Sequence, residues 1–293
     1  MSQLLEHHHE ILDALENNAA VDVVYLDFAK AFDRVDYSVL IKKLRSIGIS
    51  GRLLKWLADF LMDRKQMVKV CKLLSSEGPV HSGVPQGSSL GPLLFLVLIA
   101  DIDSCTNHVY VSSFADDTRF LLKIREEQDC SKMQEDLIHV YNWATENNMK
   151  FNSKKFELVS FSARLRDLNI INPNDNLFNY PDYYDPEGNI IVSVPKVRDL
   201  GVSMTSDGKF NSQIDESFKK GNRYAGWILR VFKTSEPTAM VTLFRALVLP
   251  HMEYCCQLWG PTAMGKVRQL EAVQRSFTAK ITGITNLNYI GRG

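Results

Sequence analysis

The chain has 293 residues, 45% of them hydrophobic, which is ample for a full-sized core and excludes an intrinsically disordered polypeptide. Its 34 basic and 34 acidic residues cancel, so net charge alone points neither toward nor away from a polyanionic partner. The charges are uneven: 14 Lys/Arg against 7 Asp/Glu from Lys196 onward, and 20 against 27 before it. That distribution fits a polyanion-gripping lobe attached to a cation-binding body, and equally an uneven scatter of surface charge.

Five cysteines (Cys71, Cys105, Cys130, Cys255 and Cys256) form no C-x-x-C pair and are odd in number. They predict reduced, mostly buried thiols of an intracellular protein, with neither a disulfide framework nor a zinc site. No basic-then-apolar leader opens the chain. The longest apolar run, residues 93–100, falls well short of the roughly 18 residues of a membrane span. His7, His8 and His9 would fan over different faces of a helix, which predicts a surface cluster and no metal site.

In chain order, "VDVVYLDF" is too short for a helix and rich in valine, which predicts a strand buried on both faces. "DYSVLIKKLRSIG" places Val39, Leu40, Leu44 and Ile47 at helical spacing and stops at Gly48. Ser50 is a candidate cap for a following helix with Leu53, Leu54, Leu57, Phe60 and Leu61 on one face. "QMVKVCKL" predicts a strand, "EGPVHSGVPQGSSLGP" a loop, and "LLFLVLIADI" a buried helix. "HVYVSSF" and "RFLLKI" are strand-like runs with Asp116 and Asp117 between them, a hairpin by spacing although Ala-Asp-Asp-Thr lacks the Asn-Gly turn signal.

Helical spacing returns at Cys130, Met133, Leu137, Ile138 and Tyr141, and "FELVSFS" is a further strand. Residues 167–187, rich in Asn, Asp, Pro and Tyr, are the candidate long irregular connection. "KVRDLGVSM" predicts one short strand, and three helical segments follow, around residues 214–232, 239–254 and 267–281. The class is α+β. Residues 1–195 form a mixed body and residues 196–293 a basic helical tail.

Asp27 closes one buried strand, and Asp116 and Asp117 lie at a hairpin tip. If those strands are neighbours, three carboxylates meet. At an effective dielectric of about 20, each like pair 4 Å apart costs about 4 kcal/mol. A divalent cation removes that cost, because magnesium takes oxygen ligands and joins carboxylates to phosphates. The plain alternative is a solvated turn, the usual role of an Asp-Asp pair.

The segments "VVYLDFAKAFDRVDYSVL", "SGVPQGSSLGPLLF", "SSFADDTRF", "MKFNSKKFELVSF" and "KVRDLGVSM" occur in this order. The series resembles the palm of reverse transcriptases, most of all the non-LTR (LINE-type, jockey-like) retrotransposon enzymes. The resemblance runs from about Ser2 to the C-terminus. It implies a right-hand polymerase palm, an antiparallel sheet packed on helices and followed by a helical thumb. The implied activity is RNA-directed DNA polymerase: a primer 3′-hydroxyl attacks the α-phosphorus of a deoxynucleotide by two-metal nucleotidyl transfer. Magnesium, or manganese in its place, is the implied cofactor, and RNA template, DNA primer and dNTP are the implied partners.

By the same resemblance Asp27, Asp116 and Asp117 are the catalytic carboxylates and metal ligands, with the Phe28 carbonyl assisting. Phe32 corresponds to the aromatic gate that collides with a ribonucleotide 2′-hydroxyl, and otherwise is a core aromatic. Gln86 and Gly87 correspond to the pair that touches nucleotide and template. Lys155 corresponds to a lysine near the triphosphate, with a solvated surface lysine as the alternative. Asp33 and Asp36 are expected to be structural, as a turn residue and a cap. In "FKKGNRYAGWILRVFK", Lys219, Lys220, Arg223, Arg230 and Lys233 are candidate contacts to a duplex backbone. Tyr224, Trp227 and Phe232 are expected on the core face of that helix.

The family's fingers would begin upstream of Met1, and no endonuclease or Cys/His knuckle is recognisable. The alternative function is therefore a catalytically inactive, truncated or domesticated nucleic-acid-binding remnant. The resemblance implies location in nucleus or cytoplasm, with the nucleus favoured.

Overall fold

A run of valines that can satisfy its backbone only by pairing on both edges begins the central sheet. In the computed structural model, which describes residues 2–17, 19–161, 182–232 and 236–281, this run is β1 (Ala20–Leu26). The chain divides into two units. Asp13–Val194 is one, and Met1–Leu12 with Pro195–Gly293 is the other.

In the first unit, β1 is followed by α2 (Tyr37–Ser46), α3 (Gly51–Leu61) and α4 (Leu90–Ile99), the preceding α1 (Ser2–Glu16) being shared by both units. Then come β2 (Tyr110–Phe114), β3 (Asp117–Ile124), α5 (Glu127–Glu146), β4 (Glu157–Phe161) and β5 (Val192–Ser193). The sheet order is β2-β3-β1-β4-β5, antiparallel except for the β4–β5 pair. One sheet face, with Val24, Leu26, Phe120 and Ile124, packs with Leu40 and Leu44 of α2, Phe95 and Leu98 of α4 and Met133 and Leu137 of α5. Removing such side chains from water, at about 1.5–3 kcal/mol for each large apolar residue, is what holds the sheet on its helices.

The caps follow the local sequence. Asp36 accepts from the backbone N–H groups of Ser38 and Val39 at the start of α2, and Gly48 takes the left-handed conformation (φ +91°) just past its end. Ser50 occupies the N-cap position of α3 without a side-chain cap bond. The apolar faces are narrower than their spacing implied, for Ile47, Leu53 and Ile138 are exposed.

A carboxylate that the sequence left unremarked closes the entry to the hairpin. Asp136 on α5 is fully buried and accepts from the N–H groups of Asn107, His108 and Val109 at 2.9, 2.7 and 2.9 Å. Replacing it by Ala leaves three backbone donors without their acceptor. Asp136→Ala is expected to lower the unfolding free energy by about 2–3 kcal/mol. That loss is measured as a lower urea midpoint at unchanged slope, and an unshifted midpoint contradicts it.

Several expectations are corrected. "QMVKVCKL" is not one strand. It contributes two-residue ladders, Lys65–Gln66 with Gly78–Pro79 and Lys69–Val70 with Leu73–Leu74, around a turn with Cys71 at φ +55°. Met67, Val68, Val70, Leu73 and Leu74 are all exposed there, so no core face extends the pairing. "KVRDLGVSM" is a hairpin of β6 (Lys196–Asp199) and β7 (Val202–Thr205), because Leu200 and Gly201 both take positive φ and reverse the chain. His7 is fully buried and His8 half-buried against Phe210, while His9 alone is exposed, so the three histidines are no surface cluster. Of the five thiols, Cys130 and Cys255 are buried and Cys71 is exposed. Residues 167–181 of the expected irregular connection, and Lys233, lie outside the described residues. Its end is ordered by Tyr183, whose buried hydroxyl donates to Asp22 of β1 at 2.7 Å.

In the second unit β7 leads into α6 (Asn211–Val231), α7 (Pro237–Leu247), two short helices and α8 (Met264–Thr278). Ile228, Phe244, Val248, Val273 and Phe277 form its core.

Candidate active site

Register brings the carboxylates together. β1 and β3 pair through Leu26↔Thr118, so one further step sets Asp27 beside Asp117, on the same face of the sheet. Cross-strand neighbours in such a ladder have Cβ atoms about 4.5–5.5 Å apart. Phe114↔Asp117 closes the β2–β3 hairpin and leaves Ala115 and Asp116 as its two-residue turn. Ala115 takes φ +53°, a costly conformation for a residue with a Cβ, and here it lies at the tip between the strands.

Asp117 is exposed at its end, yet burial of its inner side pushes its carboxyl above the ordinary range. The Asp116 and Asp27 charges push the same way, against Arg119 and Lys155. Arg119 is itself buried, two residues along the strand from Asp117 and on the same face. The sequence offered it only as the arginine of "DDTR".

Asp27 is mostly buried, and Lys155 Nζ lies 3.2 Å from both its carboxylate oxygens. The lysine is placed by a short 3₁₀ turn, Ser153–Lys155, and the Asn152 N–H before it donates to the Asp27 carbonyl at 2.8 Å. Lys155 is well exposed, so the pair is worth about 0–1 kcal/mol and is easily surrendered. Lys154 is exposed and has no such contact to Asp27.

The Phe28 ring is buried, stacked on Phe151 with centroids 4.5 Å apart. It therefore presents no ring to a ligand. The bridge Phe28↔Phe151 is flanked by bonds from Asn152 N–H to Asp27 and from Ala29 N–H to Lys150. In an extended chain the Phe28 C=O then faces the opposite edge, the side of β3.

Phe32 is half-buried on the core residue Phe95 of α4, with ring centroids 4.6 Å apart. The "VPQG" loop runs along the Phe32 segment. Gly83 N–H donates to Val35 and Val84 N–H to Phe32, at 2.9 and 2.8 Å. A Cβ on Gly83 would stand 2.8 Å from the backbone of Asp33, so this close approach requires glycine. Gln86 and Gly87 are exposed at the loop's end. Gly87 has φ +80° with open space beside it, and Gln86 Nε2 donates to Asp33 Oδ1 at 2.9 Å.

The donors gathered here are all oxygens, which suits a hard divalent cation. Among the described residues, however, no group of three or more His, Cys, Asp or Glu side chains is placed to hold a metal ion. The expected convergence of three carboxylates is thus not a closed cage among the described residues. Magnesium does not need one: it takes one or two carboxylates and completes its shell with water and substrate phosphate. The residues present fit such an ion.

On α6, Lys219, Arg223 and Arg230 are exposed and Lys220 is half-buried. At 3.6 residues per turn the four fall within about a third of the circumference. Trp227 lies in the same arc and is 42% exposed, which corrects its expected place in the core. Tyr224 is half-buried at the edge of the arc, stacked on His251 with ring centroids 4.2 Å apart and with the Arg223 guanidinium 5.4 Å from its own ring centroid, and Phe232 packs at the second unit's core.

Residues 2–204 match the family described as "Reverse transcriptase (RNA-dependent DNA polymerase)". The chain is 28% identical over 282 residues to the RNA-directed DNA polymerase from mobile element jockey of Drosophila funebris, covering 93% of this chain and 29% of that protein. It is 26% identical over 287 residues to the probable RNA-directed DNA polymerase from transposon X-element of Drosophila melanogaster, covering 94% and 30%. The chain thus spans about 30% of the length of these relatives. Among solved structures it resembles telomerase from Candida albicans in complex with the TWJ fragment of telomeric RNA. That likeness has a TM-score of 0.50 at 10% identity, over 98% of this chain and 54% of the other. The corresponding Candida tropicalis telomerase complex gives 0.50 at 13%, over 93% and 41%. At such identities the likeness is one of fold.

Proposed function

The chain belongs to the reverse transcriptase (RNA-dependent DNA polymerase) family, and on that premise we propose that it carries RNA-directed DNA synthesis at the Asp27–Asp117 end of its sheet. The observation that carries this reading is the register that sets Asp27 beside Asp117 with Asp116 in the adjoining turn. Asp27, Asp116 and Asp117, with the Phe28 carbonyl, would hold magnesium or manganese. Such ions, when bound, neutralise charge at the attacking and leaving oxygens of a phosphoryl displacement.

The chain's own groups supply the rest. Lys155, released from its weak pair with Asp27, offers its ammonium to the phosphates of the nucleotide and a proton to the departing pyrophosphate. Phe32, fixed by Phe95, stands where a sugar 2′-hydroxyl would collide. Gln86 contacts the nucleotide, and the open backbone at Gly87 admits the template strand. The α6 arc of Lys219, Lys220, Arg223 and Arg230 grips the primer–template duplex by its phosphates, with no demand on sequence.

The test is primer extension on an RNA template with magnesium. Synthesis by the wild type supports the polymerase, and salt-sensitive duplex binding without synthesis supports a binding remnant instead. The arc makes its own prediction. Arg223→Ala is expected to weaken duplex binding equally across sequences and to reduce the slope of log K against log salt by about 1. An unchanged slope removes Arg223 from the phosphate contacts.

A further inference from the structure

Three contacts converge on Asp33 from the loop that carries Gln86. Ser82 Oγ donates to its carbonyl at 2.8 Å. Gly83 lies so close that a Cβ there would meet Asp33 backbone atoms at 2.8 Å. Gln86 Nε2 donates to its carboxylate at 2.9 Å. The first two fix the loop's path. The third fixes a side chain, since a glutamine amide that gives one N–H to a carboxylate can no longer exchange its oxygen and nitrogen ends freely.

We propose that Asp33 is a positioning residue that orients the Gln86 amide and holds it against the Phe32 segment before nucleotide arrives. The proposal rests on the reading of Gln86 as a nucleotide contact. Asp33 is next to Phe32 in the chain, so one short segment sets both the aromatic wall and the amide. The bond has a charged acceptor, which places it among the stronger side-chain hydrogen bonds. Its solvent exposure keeps the effect moderate.

Equilibrium binding of dTTP with magnesium, followed by calorimetry, tests this whether or not the chain synthesises DNA. Asp33→Ala is expected to raise Kd about tenfold. Asp33→Asn, which keeps a carbonyl acceptor at the same place, is expected to restore most of the affinity. In a Gln86→Ala background, Asp33→Ala is expected to add less than about twofold, because the bond it serves is already gone. Wild-type affinity in Asp33→Ala, failure of Asp33→Asn to restore it, or additive losses in the double variant would each overturn the positioning role and leave the site reading standing. If the wild type binds no nucleotide, the site reading falls, and this inference with it. Thermal melting of each variant separates loss of fold from loss of the bond, because the Gln86→Ala background carries any folding defect of Asp33→Ala unchanged.

Discussion

Primer extension by Asp116→Asn is expected to fall by about 10³-fold or more, with the fold intact. The substitution removes one negative charge at a turn of two residues and keeps the shape. Stabilisation of developing charge by bound metal is worth several kcal/mol, and about 4 kcal/mol corresponds to a thousandfold in rate. The stability change has the opposite sign. Asp116 is a like charge beside Asp117, and it helps to push the Asp117 carboxyl up. Removing it relieves repulsion in the metal-free chain, so the variant is expected to melt no lower than the wild type. A variant that keeps full synthesis would show that this turn is only a turn, and one that unfolds would show that the carboxylate is structural.

The second large effect concerns the sugar. Phe32→Val is expected to raise ribonucleotide incorporation relative to deoxynucleotide by about 10²-fold, the upper range for shape discrimination in an apolar pocket. Phe32 lies flat on Phe95, which is fully buried in α4, so the ring cannot retreat from a bulkier sugar without disturbing the core. Valine shortens the wall but leaves Phe95 in place. The ratio of kcat/KM values for the two nucleotides measures the change, and a ratio equal to that of the wild type makes Phe32 a core aromatic and nothing more.

Legibility followed the range of the interaction involved. β1 could be seen because a buried strand writes its valines consecutively. The hairpin could be seen because two strand-like runs flank a short polar turn, and the family because five segments keep their order. Asp36 could be anticipated as a cap because its acceptor role is local. What escaped was set by partners distant in the chain. Asp22 is buried in β1 with its carboxyl pushed up by burial, and its hydroxyl partner, Tyr183, lies 161 residues away. Asp33 looked like a turn residue because Gln86 is 53 positions on. Trp227 was expected in the core because aromatics usually are, but its angular position on α6 coincides with the basic arc. That angle could have been computed from spacing alone. "QMVKVCKL" had the composition of a strand and lacked a buried face to extend it.

The proposed catalysis depends on Asp27 and the Asp116–Asp117 turn jointly holding divalent cations. Manganese binding, followed by the loss of the free-ion paramagnetic resonance signal in the presence of dNTP, measures this directly and without turnover. The account predicts that the wild type takes up manganese and that Asp27→Asn and Asp116→Asn each weaken uptake by about tenfold or more, the loss of one carboxylate ligand from a site that takes only one or two. Equal uptake by all three proteins would contradict it.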